Sequence, residues 1–179
     1  MALIHENKVP IAYREAFINK VRQVAFNLNV NPNWLMVIMN FESAGSFSPS
    51  RWGGKNKSYV GLIQFGNLAA KEMKTTTKAL SQMSAVQQLD YVEIYYKKWY
   101  KMLKMKFPKS FVDFYLITLF PSKANKGHNA VIESRGIPAK SFAKVNPKFR
   151  TNARGGVTVG EVHRVLISEL PAEWRSEFV

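Results

Sequence analysis

Apolar residues recur at helical spacing along nearly the whole chain, which leaves little room for an extended architecture. Phe17, Val21, Val24 and Leu28 make the apolar stripe of a first helix. Asn31-Pro32 then supplies an N-cap followed by proline at the first helical position, so a second helix runs to about Ser43. Ser84-Ala85-Val86-Gln87 is a capping box, and behind it Leu89, Val92, Tyr96, Trp99 and Leu103 line one face of a long helix. Tyr95 and Tyr100 fall off that stripe and are candidates to line a groove. Ser110 caps a short, very apolar helix ending at Phe120-Pro121, and Thr158-Val159-Gly160-Glu161 opens a last one. The rhythm breaks twice. Residues 44–60 are rich in Gly and Ser, and residues 122–157 in Gly, Pro, Asn and Lys, with one short helix expected near Ala130. Leu62 to Met73 reads as strand-like and then helical. The prediction is a mostly α fold of α+β type, one domain over residues 1–179, with a small β or loop element after the second helix.

Composition narrows the chemistry. The 179 residues contain no Cys, which removes disulfides, thiolate metal sites and thiol nucleophiles. Lys and Arg number 26 against 12 Asp and Glu, a net charge of +14, so the chain is drawn to anionic polymers: nucleic acid, membrane surface or anionic cell envelope. Lys97, Lys98, Lys101, Lys104, Lys106 and Lys109 form a basic run, either a solvated helix face or an attachment to anionic glycan. No recognition helix or stacking platform accompanies it, so no specific nucleic-acid partner is expected. His5, His128 and His163 lack ligand spacing, and Gly53-Gly54-Lys55 is too short for a phosphate loop, so neither a metal nor an organic cofactor is expected. The N-terminus has no apolar core of a secretory signal, and no apolar stretch approaches membrane-spanning length. The expectation is a monomer made in the cytoplasm without an export segment.

Glu42 is the most informative residue. Leu35, Met39 and Glu42 fall at i, i+4 and i+7, so Glu42 projects from an apolar face and a Gly/Ser loop begins just after it. A carboxyl desolvated on one side and open on the other has its charged form disfavoured, which suits a general acid. Glycosidic cleavage needs such an acid for the leaving oxygen. The plainer reading is a partly exposed residue at a helix end. No second carboxylate stands out: Asp113 and Glu161 fit helix-start positions, Asp90 and Glu93 lie off the stripe of their helix, and the others lack a glycine-rich loop.

The surrounding residues sharpen this. Phe41-Glu42-Ser43-Ala44-Gly45-Ser46-Phe47-Ser48-Pro49, followed by Tyr59-Val60-Gly61-Leu62-Ile63-Gln64-Phe65, resembles the lysozyme-like lytic transglycosylase family, related to goose-type lysozymes. Ser84 to Val92 and Val112 to Pro121 are similar to two further helices of that family. The resemblance implies a muramidase that cleaves the β-1,4 link between N-acetylmuramic acid and N-acetylglucosamine in peptidoglycan. Glu42 would be its catalytic acid/base, and Ser43 would hold Glu42 by a local hydrogen bond. Gly61, Leu62, Gln64 and Phe65 would form a β element walling the cleft, and Gln64 and Tyr115 would orient substrate. Tyr59, with Trp52 in the same loop, would stack on a sugar. The resemblance also implies action at the bacterial cell wall, by a phage-type enzyme released at lysis or carried in the virion, or by a bacterial protein moved by a specialised secretion apparatus. Water and the substrate's own 6-hydroxyl both remain open as nucleophile, and a non-catalytic basic peptidoglycan-binding module is the rival from another class. Where relatives carry an acidic loop resembling half an EF-hand, this chain has Arg150 and Arg154, which would repel calcium and face anionic envelope instead.

Overall fold

The computed structural model describes residues 1–152 and 155–178. The chain forms two compact units, Met1–Phe107 and Pro108–Val179. It is mostly helical, with one small three-stranded antiparallel sheet placed after the second helix. Among the described residues no helix is long and apolar enough to cross a membrane.

In the first unit, α1 (Arg14–Leu28) packs against α2 (Pro32–Glu42) and along α5 (Ala85–Met102). The predicted α1 stripe is the buried one: Phe17, Val21, Val24 and Leu28 are each no more than 1% exposed. Side chains of that size each contribute roughly 1.5–3 kcal/mol when fully buried, so the stripe sets which way the helix faces. Asn29 stops α1 in the left-handed conformation, with its own N–H and that of Val30 returned to the carbonyls of Phe26 and Ala25. The Asn31 side chain then accepts from the Asn33 N–H at 2.9 Å and starts α2. The Ser84 capping box opens α5 as the sequence implies. Its buried stripe is rotated from the expected one, however. Tyr100 is buried, with its hydroxyl donating to the Leu28 carbonyl at 3.2 Å, whereas Trp99 is only half-buried.

The sheet consists of β1 (Trp52–Gly53), β2 (Tyr59–Val60) and β3 (Phe65–Gly66), with Trp52 opposite Val60 and Val60 opposite Phe65. Two short helices, α3 (Asn67–Glu72) and α4 (Thr77–Ser81), return the chain to α5.

The second unit is built on α6 (Phe111–Leu119), whose residues from Phe111 to Ile117 are all buried. Asp113 is buried with partners: it accepts from the Ser110 hydroxyl at 2.8 Å and from the Asn125 N–H at 2.6 Å. Edge-on aromatic pairs, Phe111–Phe178, Tyr115–Phe149 and Phe120–Phe142, fill this core. The short helix expected near Ala130 lies later, as α7 (Ala139–Val145), because Phe142 and Ala143 supply the buried side. Val131 instead bridges Thr158, the capping-box residue of α8 (Val159–Ser168).

Candidate functional site

Glu42 is the last residue of α2. Leu35 and Met39 beneath it are fully buried and Glu42 itself is half-buried, as the i, i+4, i+7 spacing implies. Beyond it the backbone turns sharply through left-handed Ala44 (φ 50°), Gly45 (φ 78°) and Phe47 (φ 47°). A bulky residue in that region is strained and persists only where its surroundings over-determine it. Phe47 meets that condition. Its N–H donates to the Ser43 Oγ at 2.9 Å, its carbonyl accepts from the Tyr13 hydroxyl at 3.3 Å, and its ring meets Phe17 edge-on.

Tyr95 of α5 joins the end of α2 to the sheet. Its ring stands edge-on to Phe65 of β3, with centroids 6.1 Å apart, and also touches Tyr96 and Trp99. Burial pushes its phenol up to about 12. A hydrogen bond with the Trp99 side chain works the other way, and the negative charges of Glu42 and Glu72 add to the rise. Tyr95 is thus a neutral hydroxyl at physiological pH, lying in the electrostatic field of Glu42. Glu72, the second carboxylate near it, is ion-paired with Lys98.

Gln88 holds the loop wall to α5, and the sequence reading overlooked its role. It is fully buried, and its amide is used on every side. Its Oε1 accepts from the Leu62 N–H at 2.7 Å, and its Nε2 donates to the carbonyls of Pro49 at 3.0 Å and Leu80 at 2.9 Å. The amide also forbids a side chain at Gly61, where a Cβ would lie 2.2 Å from Oε1 and where φ is +86°. A glutamine beside Leu89 and four residues before Val92, on the buried side of α5, was the available signal.

The other expected site residues have these surroundings. Ser43 does not hold Glu42 by its hydroxyl; that oxygen accepts from Phe47 N–H and fixes the following loop, because the turn after α2 brings this amide to it. Gly61 to Gln64 form the tight turn between β2 and β3, and only Phe65 of the four lies in a strand. Gln64, itself left-handed (φ 55°), donates its amide to the carbonyls of Gly61 at 3.1 Å and Arg51 at 3.2 Å, so it braces the sheet. Phe65 is 2% exposed and stands behind the wall, where it positions Tyr95. Tyr59 is 47% exposed, its ring laid across two glycines: a Cβ at Gly54 would come within 2.5 Å of it and one at Gly66 within 3.1 Å. Trp52 is 37% exposed. Tyr115, in the second unit, is buried and packs edge-on against Phe149, with ring centroids 6.3 Å apart.

The loop where the sequence departs from an acidic metal-binding pattern closes on Glu161 of α8. Glu161 is 2% exposed and accepts from Thr151 Oγ1 at 2.7 Å, Asn152 Nδ2, Thr158 N–H at 2.8 Å and Thr158 Oγ1 at 3.1 Å. Burial raises its pKa, but these hydrogen bonds outweigh that and hold the carboxyl below its ordinary value. Arg150 is exposed, and Arg154 lies outside the described residues. Among the described residues no three His, Asp or Glu side chains gather as a metal site would require.

No protein-family model, curated protein or solved structure matches the chain.

Proposed function

We propose that the chain cleaves the glycan strand of peptidoglycan at the β-1,4 link between N-acetylmuramic acid and N-acetylglucosamine, with Glu42 as its single acid/base. The observation that carries this reading is the placement of Glu42. It is a half-buried carboxyl on the apolar face at the end of α2, followed by a strained loop, and its charge reaches Tyr95, a neutral tyrosine that packs on the sheet. Glu42 in its acid form gives its proton to the glycosidic oxygen as the C1–O bond breaks. The carboxylate then takes the proton of the muramyl 6-hydroxyl as that oxygen closes on C1, which yields an anhydro sugar. Water in place of the 6-hydroxyl would give hydrolysis. Glu72, the other carboxylate whose charge reaches Tyr95, is ion-paired with Lys98. The exposed ring of Tyr59 offers a flat apolar surface suited to a sugar face. No metal or organic cofactor enters this scheme, and the basic surface favours anionic wall polymer.

The test is mass spectrometry of purified peptidoglycan treated with the wild type and with Glu42→Gln. Anhydro-muropeptides from the wild type alone support the transglycosylase. Glu42→Gln is expected to lose at least about a thousandfold in rate while melting like the wild type. Reducing-end products would make the same site a hydrolase. Absence of product from the wild type would leave the binding module.

A further inference from the structure

We propose that the second unit carries a separate binding pocket for a phosphodiester of a polyol-phosphate cell-envelope polymer. Lys140, Ala143 and Lys144 of α7, Pro147 and Arg150 of the following turn, and Gly155 line an open surface depression of about 440 Å³. Lys140 and Lys144 are one helical turn apart and so share a face of α7. The Lys140 stem lies along Gly155, where a Cβ would sit 3.6 Å from both Cγ and Cε. Gly156 abuts Ala139, where a Cβ would sit 3.3 Å from that of Ala139, so residues 155–156 pack against the start of α7.

The charge of this pocket is one-sided. Among the described residues three cations line it and no carboxylate does. From Ser134 to Gly160 the chain carries Arg135, Lys140, Lys144, Lys148, Arg150 and Arg154 and no Asp or Glu. The ion pairs Lys20–Asp90, Lys97–Glu93 and Lys98–Glu72 lie in the first unit. The local carboxylate, Glu161, is buried and already accepts bonds from Thr151, Asn152 and Thr158. Like charges gathered around a concave surface repel until an anion enters, and a guanidinium flanked by two ammonium groups suits the tetrahedral oxygens of phosphate.

The depression is also larger than a bare phosphate needs, which favours a phosphate carrying substituents on both sides. Among the described residues the lining holds no aromatic ring on which a base could stack, which disfavours nucleic acid. Its described apolar part is Ala143 and Pro147, too little to hold an acyl chain. The choice of a cell-envelope polymer rests on the proposed function, whereas phosphodiester binding by the pocket is measured apart from Glu42 chemistry.

Calorimetric titration of the full chain with a short glycerol-phosphate oligomer at about 0.1 M salt tests this. The triple variant Lys140→Gln, Lys144→Gln, Arg150→Gln is compared with Lys71→Gln, Lys74→Gln, Lys78→Gln, which removes equal charge from exposed positions of the first unit. The pocket variant is expected to weaken binding at least about tenfold and the control about twofold or less. Arg150→Gln alone gives the same readout with a smaller loss, should the triple variant fold poorly. No binding by the wild type, or equal losses in both triple variants, would overturn the proposal. So would tighter binding to a DNA oligomer of matched charge, or binding confined to phosphatidylglycerol vesicles.

Discussion

Gln88 shows how one buried side chain can set the shape of a site without facing it. Replacing it with leucine would leave the Leu62 N–H buried without that partner and take one donor each from the carbonyls of half-buried Pro49 and of Leu80, which keeps the Met83 N–H. A buried group left unpaired costs about 1–3 kcal/mol, so Gln88→Leu is expected to destabilise the chain by about 2 kcal/mol or more, measured by denaturant unfolding. A loss under about 1 kcal/mol would mean that the loop repacks freely. Glu42 itself was legible in the sequence, because its position follows from the period of a single helix. The roles of Ser43 and Gln64 were not. The Gln64 amide meets the carbonyl of Arg51, thirteen residues earlier, a pairing that no local pattern encodes.

Among the elements, α8 and the loop before it depend on one carboxylate. Glu161 serves both the capping box and the side chains of Thr151 and Asn152. Its folded pKa lies below its unfolded value, so its contribution is complete above the ordinary carboxylate range near 4.5 and is lost as pH falls through the folded value. Glu161→Gln is therefore expected to melt lower than the wild type at pH 7, by an amount equivalent to about 1–2 kcal/mol, with the gap closing in acid. Thermal melts across that range decide it, and a gap constant with pH would remove the charge from the account. The long helices and their caps were readable because they are local, whereas the short α4 and α7 were not. The small element after α2 was expected, but its strand bounds were not readable, since two-residue strands are too short to show alternation. The stripe of α5 was misread around Trp99 and Tyr100 because neighbouring positions are separated by only about 100° of rotation, and both residues are aromatic.

For the molecule as a whole, charge is the distributed property. Lys and Arg outnumber Asp and Glu by 15 to 6 in the first unit and by 11 to 6 in the second, which together make the +14. Long-range attraction to an anionic wall should follow this total, and cleavage should follow Glu42. Binding to purified cell walls in a pelleting assay is expected to fall at least about tenfold between about 0.1 and 0.5 M salt, with Glu42→Gln binding as well as the wild type. Salt-independent binding would assign attachment to the shape of the surface in place of its charge. The wall beside the candidate site also has an optical consequence. Trp52 is 37% exposed, whereas Trp34, Trp99 and Trp174 are half-buried, so Trp52 is the indole that meets the most water. A glycan laid across β1 would strip that water and shift the emission to the blue. The unlabelled Glu42→Gln protein would then report occupancy by its own fluorescence while the strand stays uncut.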